Sequence, residues 1–249
     1  MFRRSEVLPI STVRVLLLLA IFAVQAHAYR PFLSTDAGVT KSGDAEFEIG
    51  YFGISLAKDD ITFLIPTAVI NFGFLDRFEI VGQFNLEKPI HEGFQINDAA
   101  LSLKGVLKDG FLQEKEGISV AFEADLLFPS TLPDRSRFGA QGTGIISAKI
   151  DPMIFHFNLG GGIENSRSNF FILWGVISEF PIDANWRLVN EFVGRHIIDG
   201  INDVSALLGC IWQTPWKALT LDTGVRRGLT PDSADWQFQL GFTIGFHVL

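Results

Sequence analysis

The sequence predicts an all-β protein, an antiparallel transmembrane β-barrel of about 12 strands with short periplasmic turns and longer extracellular loops. Three observations predict it. Apolar and polar residues alternate with a period of two over most of the chain after residue 43. The chain is 47% hydrophobic, yet its one long apolar run, Val15 to Val24, is too short for a bilayer core that needs roughly 20 helical residues. The connections between alternating segments are longer on one side than on the other. A helical membrane protein, a disordered chain and a disulfide-stapled mini-domain are excluded together.

The first 28 residues read as a secretory leader. Arg3, Arg4 and Arg14 precede the apolar run, and Ala26 and Ala28 flank His27 in an A-x-A cleavage pattern. Cleavage after Ala28 leaves a chain that begins at Tyr29. Losing three Arg and one Glu moves the formal charge from −8 to −10. An acidic exported chain is a poor partner for nucleic acid, whose phosphates call for Lys and Arg. Cys210 is the single cysteine, so no intrachain disulfide forms, and its apolar strand context marks a small hydrophobe. Residues 29–43 form a polar lead-in on the periplasmic side, without a period.

The barrel then occupies 44–249. Ile118, Val120, Phe122, Ala124, Leu126 and Phe128 alternate with Ser119, Ala121, Glu123, Asp125 and Leu127, and Trp236 to Phe246 repeats the pattern. Twelve strands are expected near 44–57, 61–74, 77–86, 97–107, 118–128, 143–150, 154–164, 170–180, 186–196, 203–212, 218–226 and 236–246. Most approach the 9–11 residues of a tilted spanning strand. Pro66 departs from the pattern, because proline cannot donate to a ladder. With strand one running outward, the outer connections hold 47 residues and the inner ones 25. An even strand count returns both ends to the periplasm. Phe74, Phe78, Phe180, Trp186, Trp212, Trp216 and Phe246 fall at the inner turns, and Phe84, Phe94, Phe128, Phe170 and Trp236 at the outer ends, as interfacial girdles require.

The less apolar parity carries Glu46, Glu48, Glu79, Gln83, Asp98, Lys104, Glu123, Asp125, Lys149, His156, Arg187, Glu191, Arg195, Asp222 and Arg226, together with Asn85, Asn158, Gln237 and Gln239. A lipid-facing Lys or Arg at mid-bilayer costs roughly 2–4 kcal/mol. These side chains are therefore expected to face a lumen, mildly acidic and tilted toward cations or neutral solutes. Twelve strands lie between small filled barrels and wide porins, so a narrow pore and a plugged one both stay open.

Tyr29-Arg30-Pro31-Phe32-Leu33-Ser34-Thr35-Asp36-Ala37-Gly38, then Gly43 to Tyr51, resembles the start of one group of exported bacterial barrels, the "meta-pathway of phenol degradation" transporter family. Leu221 to Thr230 and Trp236 to Phe246 are similar to that family's last hairpin. The resemblance implies passage of small, hydrophobic or aromatic compounds across the outer membrane. It also implies delivery by the barrel-assembly machinery, which reads a terminal aromatic; here His247-Val248-Leu249 follows Phe246.

No catalytic, cofactor or metal site is expected. His91, His156, His196 and His247 lack metal-pair spacing. Gly139 to Gly144 and Gly160 to Gly162 are not phosphate loops; the first closes the longest outer loop, 129–142, and the second relaxes a strand. The expected function is passive diffusion of a small solute through a lipid-embedded outer-membrane channel. The rivals are a non-conducting barrel that holds a partner, a lipid-modifying enzyme using His196 with Ser205 and Asp203, and a soluble periplasmic β protein.

Overall fold

A computed structural model describes residues 31–249 apart from 51, 59, 132–134, 167–168 and 199. The expected leader, 1–28, lies outside the described residues. The strands are β1 (Asp44–Gly50), β2 (Gly53–Ala57), β3 (Asp60–Leu75), β4 (Phe78–Pro89), β5 (Gln95–Lys108), β6 (Ser119–Leu127) and β7 (Gly139–Ile150). They continue as β8 (Met153–Ile163), β9 (Phe170–Pro181), β10 (Trp186–Ile197), β11 (Asn202–Gln213), β12 (Leu219–Gly228) and β13 (Trp236–His247). One 3₁₀ turn, Phe111–Gln113, sits in the β5–β6 connection.

The sheet closes on itself. β1 pairs antiparallel with β13 (Asp44 opposite His247) and with β3 (Ala45 opposite Phe72). β2 pairs with the same two neighbours further out. β1 and β2 are thus halves of one barrel strand, and the result is a closed antiparallel 12-stranded barrel. Closure removes the unpaired edges that an open sheet of this length would expose. Pro66 lies where the β3–β4 register shifts, between Leu64 and Thr67. A bulge accommodates the missing N–H without ending the strand.

Two expectations change. β7 begins at Gly139, not 143, so the glycines thought to close the longest outer loop are ladder residues paired with β6, and from Ala140 on with β8 as well. The inward positions Gln141 and Thr143 continue the parity of Ile145 and Ser147, which explains why the strand extends that far. The second change concerns the lead-in: residues 31–43 run inside the barrel.

Burial follows the pleat. On β11, Leu208 is 67% exposed on the outer face, while Leu207 is buried inside. The outward Ile146, Leu159, Ile172, Leu188 and Leu240 are exposed in the same way. At the inner rim Trp186 stacks on Trp212 at 5.4 Å; at the outer rim Phe128 meets Phe138 edge-on at 5.7 Å. The apolar core sits in the lumen, in two small clusters built around residues of the threaded segment. Ala37 packs with Ala121, Ile145 and Leu112. Phe32 packs with Val189, Leu207 and Ile211.

In a phospholipid bilayer, Leu208→Arg places a charge halfway along β11 on the outward face. It is expected to destabilise the barrel by roughly 2–4 kcal/mol, read as a lower urea midpoint in vesicles. His91→Arg, at an exposed position in the outer β4–β5 connection, should leave the midpoint unmoved.

Candidate functional site

The N-terminal segment enters the lumen at the periplasmic end. Its base is fixed where Gly43 N–H donates to Gly73 O at 2.8 Å and Ser42 bridges to Gly73. Gly73 makes this approach feasible: a Cβ there would lie 2.2 and 2.3 Å from the Lys41 and Thr40 carbonyl oxygens. Further along, a Cβ on Gly175 would meet Ser34 Oγ at 1.9 Å. Two glycines on opposite sides of the barrel are therefore room for the same segment.

Beyond that bridge the segment lies outside the ladder and must find other partners for its backbone. Here the inward side chains supply them. Thr40 N–H donates to Glu79 (2.7 Å), and Ala37 N–H to Ser147 Oγ (2.9 Å). Asn158 holds both sides of Thr35, accepting its N–H at 3.2 Å and donating to its carbonyl at 2.8 Å. Glu191 accepts Leu33 N–H at 3.1 Å and Ser34 N–H at 2.7 Å. Gln239 donates to Pro31 O at 2.7 Å, and Gln113 to Ala37 O at 3.0 Å. The Gln113 turn is held near Asp109, whose carboxyl is kept below its ordinary range by hydrogen bonding to Lys115 and by the nearby Arg77.

Three charged centres surround the segment. Buried Lys104 lies 3.3 Å from Glu79 and 3.8 Å from Asp36, and donates to Thr35 Oγ1 at 3.1 Å. Fully buried Glu191 takes a 2.5 Å bond from Arg226, which also donates to Ser205 at 3.1 Å. The third is a chain: Ser147 Oγ is 2.7 Å from His156 Nδ1, and His156 Nε2 is 3.1 Å from Glu179, which also binds Arg187 at 2.9 Å. The carboxylate at Nε2 selects the tautomer that carries its proton there, leaving Nδ1 to accept from the Ser147 hydroxyl. A serine, histidine and carboxylate so aligned have the parts of a nucleophilic site. Ser147 is fully buried beneath Ala37, so its oxygen anchors the segment.

Above the segment the lumen opens into a vestibule of about 440 Å³, with Phe32, Leu33, Ser34 and Thr35 as its floor. Gln83, Asp98, Glu123 and Arg195 line its wall. Arg135 binds Asp98 at 2.6 Å, and Arg195 binds Glu164 at 3.2 Å while its guanidinium lies 4.1 Å over the Phe171 ring. Acids outnumber bases on the wall: Glu48, Glu79, Asp98, Glu123, Asp125 and Asp203 against Lys104, Arg135 and Arg195.

The residues assigned to the lumen by parity divide by depth. Glu46, Glu48, Glu79, Lys104, Asp125, His156, Glu191, Asp222 and Arg226 are buried. Glu48, Glu79, Lys104 and Asp125 also touch the vestibule, whose wall Gln83, Asp98, Glu123 and Arg195 continue. Arg187 reaches inward to Glu179, whereas Lys149 stands at the periplasmic rim, half exposed and paired with Asp151 at 2.9 Å. His196 is exposed on the outer face, Ser205 is buried against Arg226 and Asp203 accepts from Ser233, so those three do not meet. Sequence reasoning missed Ser147, Glu179, Glu164 and the threaded segment. The register does place Ser147 directly opposite His156.

No family model and no curated sequence matches the chain. Solved structures do. The KdgM porin aligns at 9% identity and a TM-score of 0.56, over 82% of this chain and 99% of that one. The NanC porin aligns at 7% and 0.59, over 80% and 98%. The COG4313 outer membrane channel from Pseudomonas putida F1 aligns at 10% and 0.56, over 86% and 100%. The shared property is the fold, a porin-like outer-membrane barrel.

Glu191 is where the segment and the barrel wall meet most tightly. Glu191→Ala leaves Arg226 buried without its carboxylate and removes the acceptor of two backbone N–H groups. The expected cost is roughly 3–5 kcal/mol, read from the denaturant midpoint of the refolded barrel.

Proposed function

We propose that this chain is an outer-membrane channel for small solutes, held shut in the structure described by its own N-terminal segment. The observation that carries the reading is the vestibule of about 440 Å³ that ends on Phe32 to Thr35. A barrel that served only as a wall would have no use for an open mouth lined with charge. The apolar outer belt, the rim aromatics and the longer connections on one side support a bilayer setting, with those connections facing outward. The secretory leader and the strand β13 ending near Phe246 support delivery by the barrel-assembly machinery. The channels and porins with the same fold support conduction rather than catalysis.

The segment is tethered at Gly43 on the periplasmic side, so release means withdrawal toward the periplasm. The twofold excess of acids over bases on the vestibule wall favours cations over anions in the open state. The family resemblance supports small hydrophobic or aromatic cargo. Leu127, Leu173 and Val193 offer it apolar wall, but among enough polar groups that a solute bearing both suits the lumen best. The packed floor favours a second reading, a barrel that never conducts and holds a partner at its outer loops.

Conductance separates the two. Prolines cannot donate, so Leu33→Pro with Ala37→Pro removes one of the two backbone bonds to Glu191 and the bond to Ser147 while leaving the wall intact. In planar bilayers the refolded residues 29–249 are expected to show rare or small steps. The double variant should show frequent discrete steps with a cation-side reversal potential. Silent bilayers from a correctly folded double variant would establish the non-conducting reading.

A further inference from the structure

Beside the Lys104 contacts to Thr35 and Asp36, the lumen grips its plug mostly through the backbone. Leu33, Ser34, Thr35, Ala37 and Thr40 give their N–H groups to Glu191, Asn158, Ser147 and Glu79. Pro31, Thr35 and Ala37 give their carbonyls to Gln239, Asn158 and Gln113. Asn158 is the most telling, because its one side-chain amide pairs with the N–H and the C=O of the same residue. That arrangement matches the donor and the acceptor of one peptide residue and excludes a simple ion. Glu191 accepts two successive N–H groups of the same chain. We infer that the lumen is a reader of peptide backbone, and that short peptides are the solutes it accepts along the path the segment vacates.

The inference rests on the channel reading above and names its substrate class. Two of the acceptors are held by the wall as well as by the plug: Glu191 by Arg226 and Ser147 by His156. They keep their positions when the segment leaves, so the acceptors stay preorganised for another chain. Main-chain hydrogen bonds give affinity without reading sequence, as in strand addition to a sheet edge. Side-chain selection is confined to two apolar niches five residues apart, where Phe32 meets Val189, Leu207 and Ile211, and where Ala37 meets Ala121 and Ile145. A carbohydrate hydroxyl can rotate to donate or accept, so glucose is the competitor that the test sets against a peptide.

The test uses the mature chain carrying Leu33→Pro and Ala37→Pro, refolded in detergent and in liposomes. A fluorescent synthetic peptide with the sequence of residues 31–40 should bind saturably, and unlabelled tetra-alanine should compete while a large excess of glucose does not. Asn158→Leu in the same background should weaken binding by about tenfold or more, and Asn158→Asp, which keeps an acceptor but loses the donor, by less. Heat-dependent gel mobility confirms that each variant is folded. In liposome swelling, tri-alanine should enter faster than the smaller glucose. Absent binding, displacement by glucose, or binding indifferent to Asn158 would overturn the inference. Peptide binding without permeation of any solute would sink the channel reading and leave the peptide groove standing. Glucose entering as fast as tri-alanine would do the reverse.

Discussion

A closed barrel has a single inside, and every polar side chain that its outer face cannot carry must be satisfied there. The period-two pleat leaves no third choice: each residue of a spanning strand faces either outward or into the lumen. With the outward face given over to Ile, Leu, Val and aromatic rings, the lumen of this chain receives Glu46, Glu48, Glu79, Glu123, Asp125, Glu191 and Asp222 against Lys104, Arg187, Arg195 and Arg226. A surplus of buried acceptors in a narrow space is costly unless donors arrive. The arrangement of the interior follows from that need.

The N-terminal segment brings donors to two of these acids, Glu79 and Glu191. A stretch outside the ladder suits an acid-rich lumen, because its backbone N–H groups are not committed to a neighbouring strand. Each such bond contributes about 0.5–1.5 kcal/mol net, more where the acceptor is charged. Five N–H groups and two apolar side chains are enough to hold the segment, but far fewer than the bonds that hold a strand in the wall. The proposed channel depends on that difference: if the segment separates while the wall stays closed, a shut and an open lumen share one barrel.

Much of this was readable from alternation alone. The strand map, the antiparallel order, the inner and outer connections and the inward parity all rest on a period that lipid and lumen jointly enforce. Where the reading slipped, the controlling contacts leave no periodic trace. Gly139 to Gly144 read as a loop because glycine is a turn signal, yet Gln141 and Thr143 between them continue the inward face. Residues 31–43 read as a lead-in because backbone donors are the same for every residue except proline, so a segment held by them has no pattern. Gly73 and Gly175 are meaningful only once the segment lies against them. The Ser147–His156–Glu179 chain was recoverable in principle, since it follows from the β7–β8 and β8–β9 registers, but only after those registers are known.

The central claim is that residues 31–40 seal the lumen from both sides, and Ser147 lies directly beneath that seal. Cys210→Ser with Ser147→Cys gives a single thiol there, nearly isosteric with the hydroxyl it replaces. Exposed in liposomes to a charged, membrane-impermeant thiol reagent, this thiol should stay unmodified whichever side the reagent is added to. It should become reactive when Leu33→Pro and Ala37→Pro are introduced. Rapid modification with the native segment in place, at the rate seen with the prolines, would contradict the account.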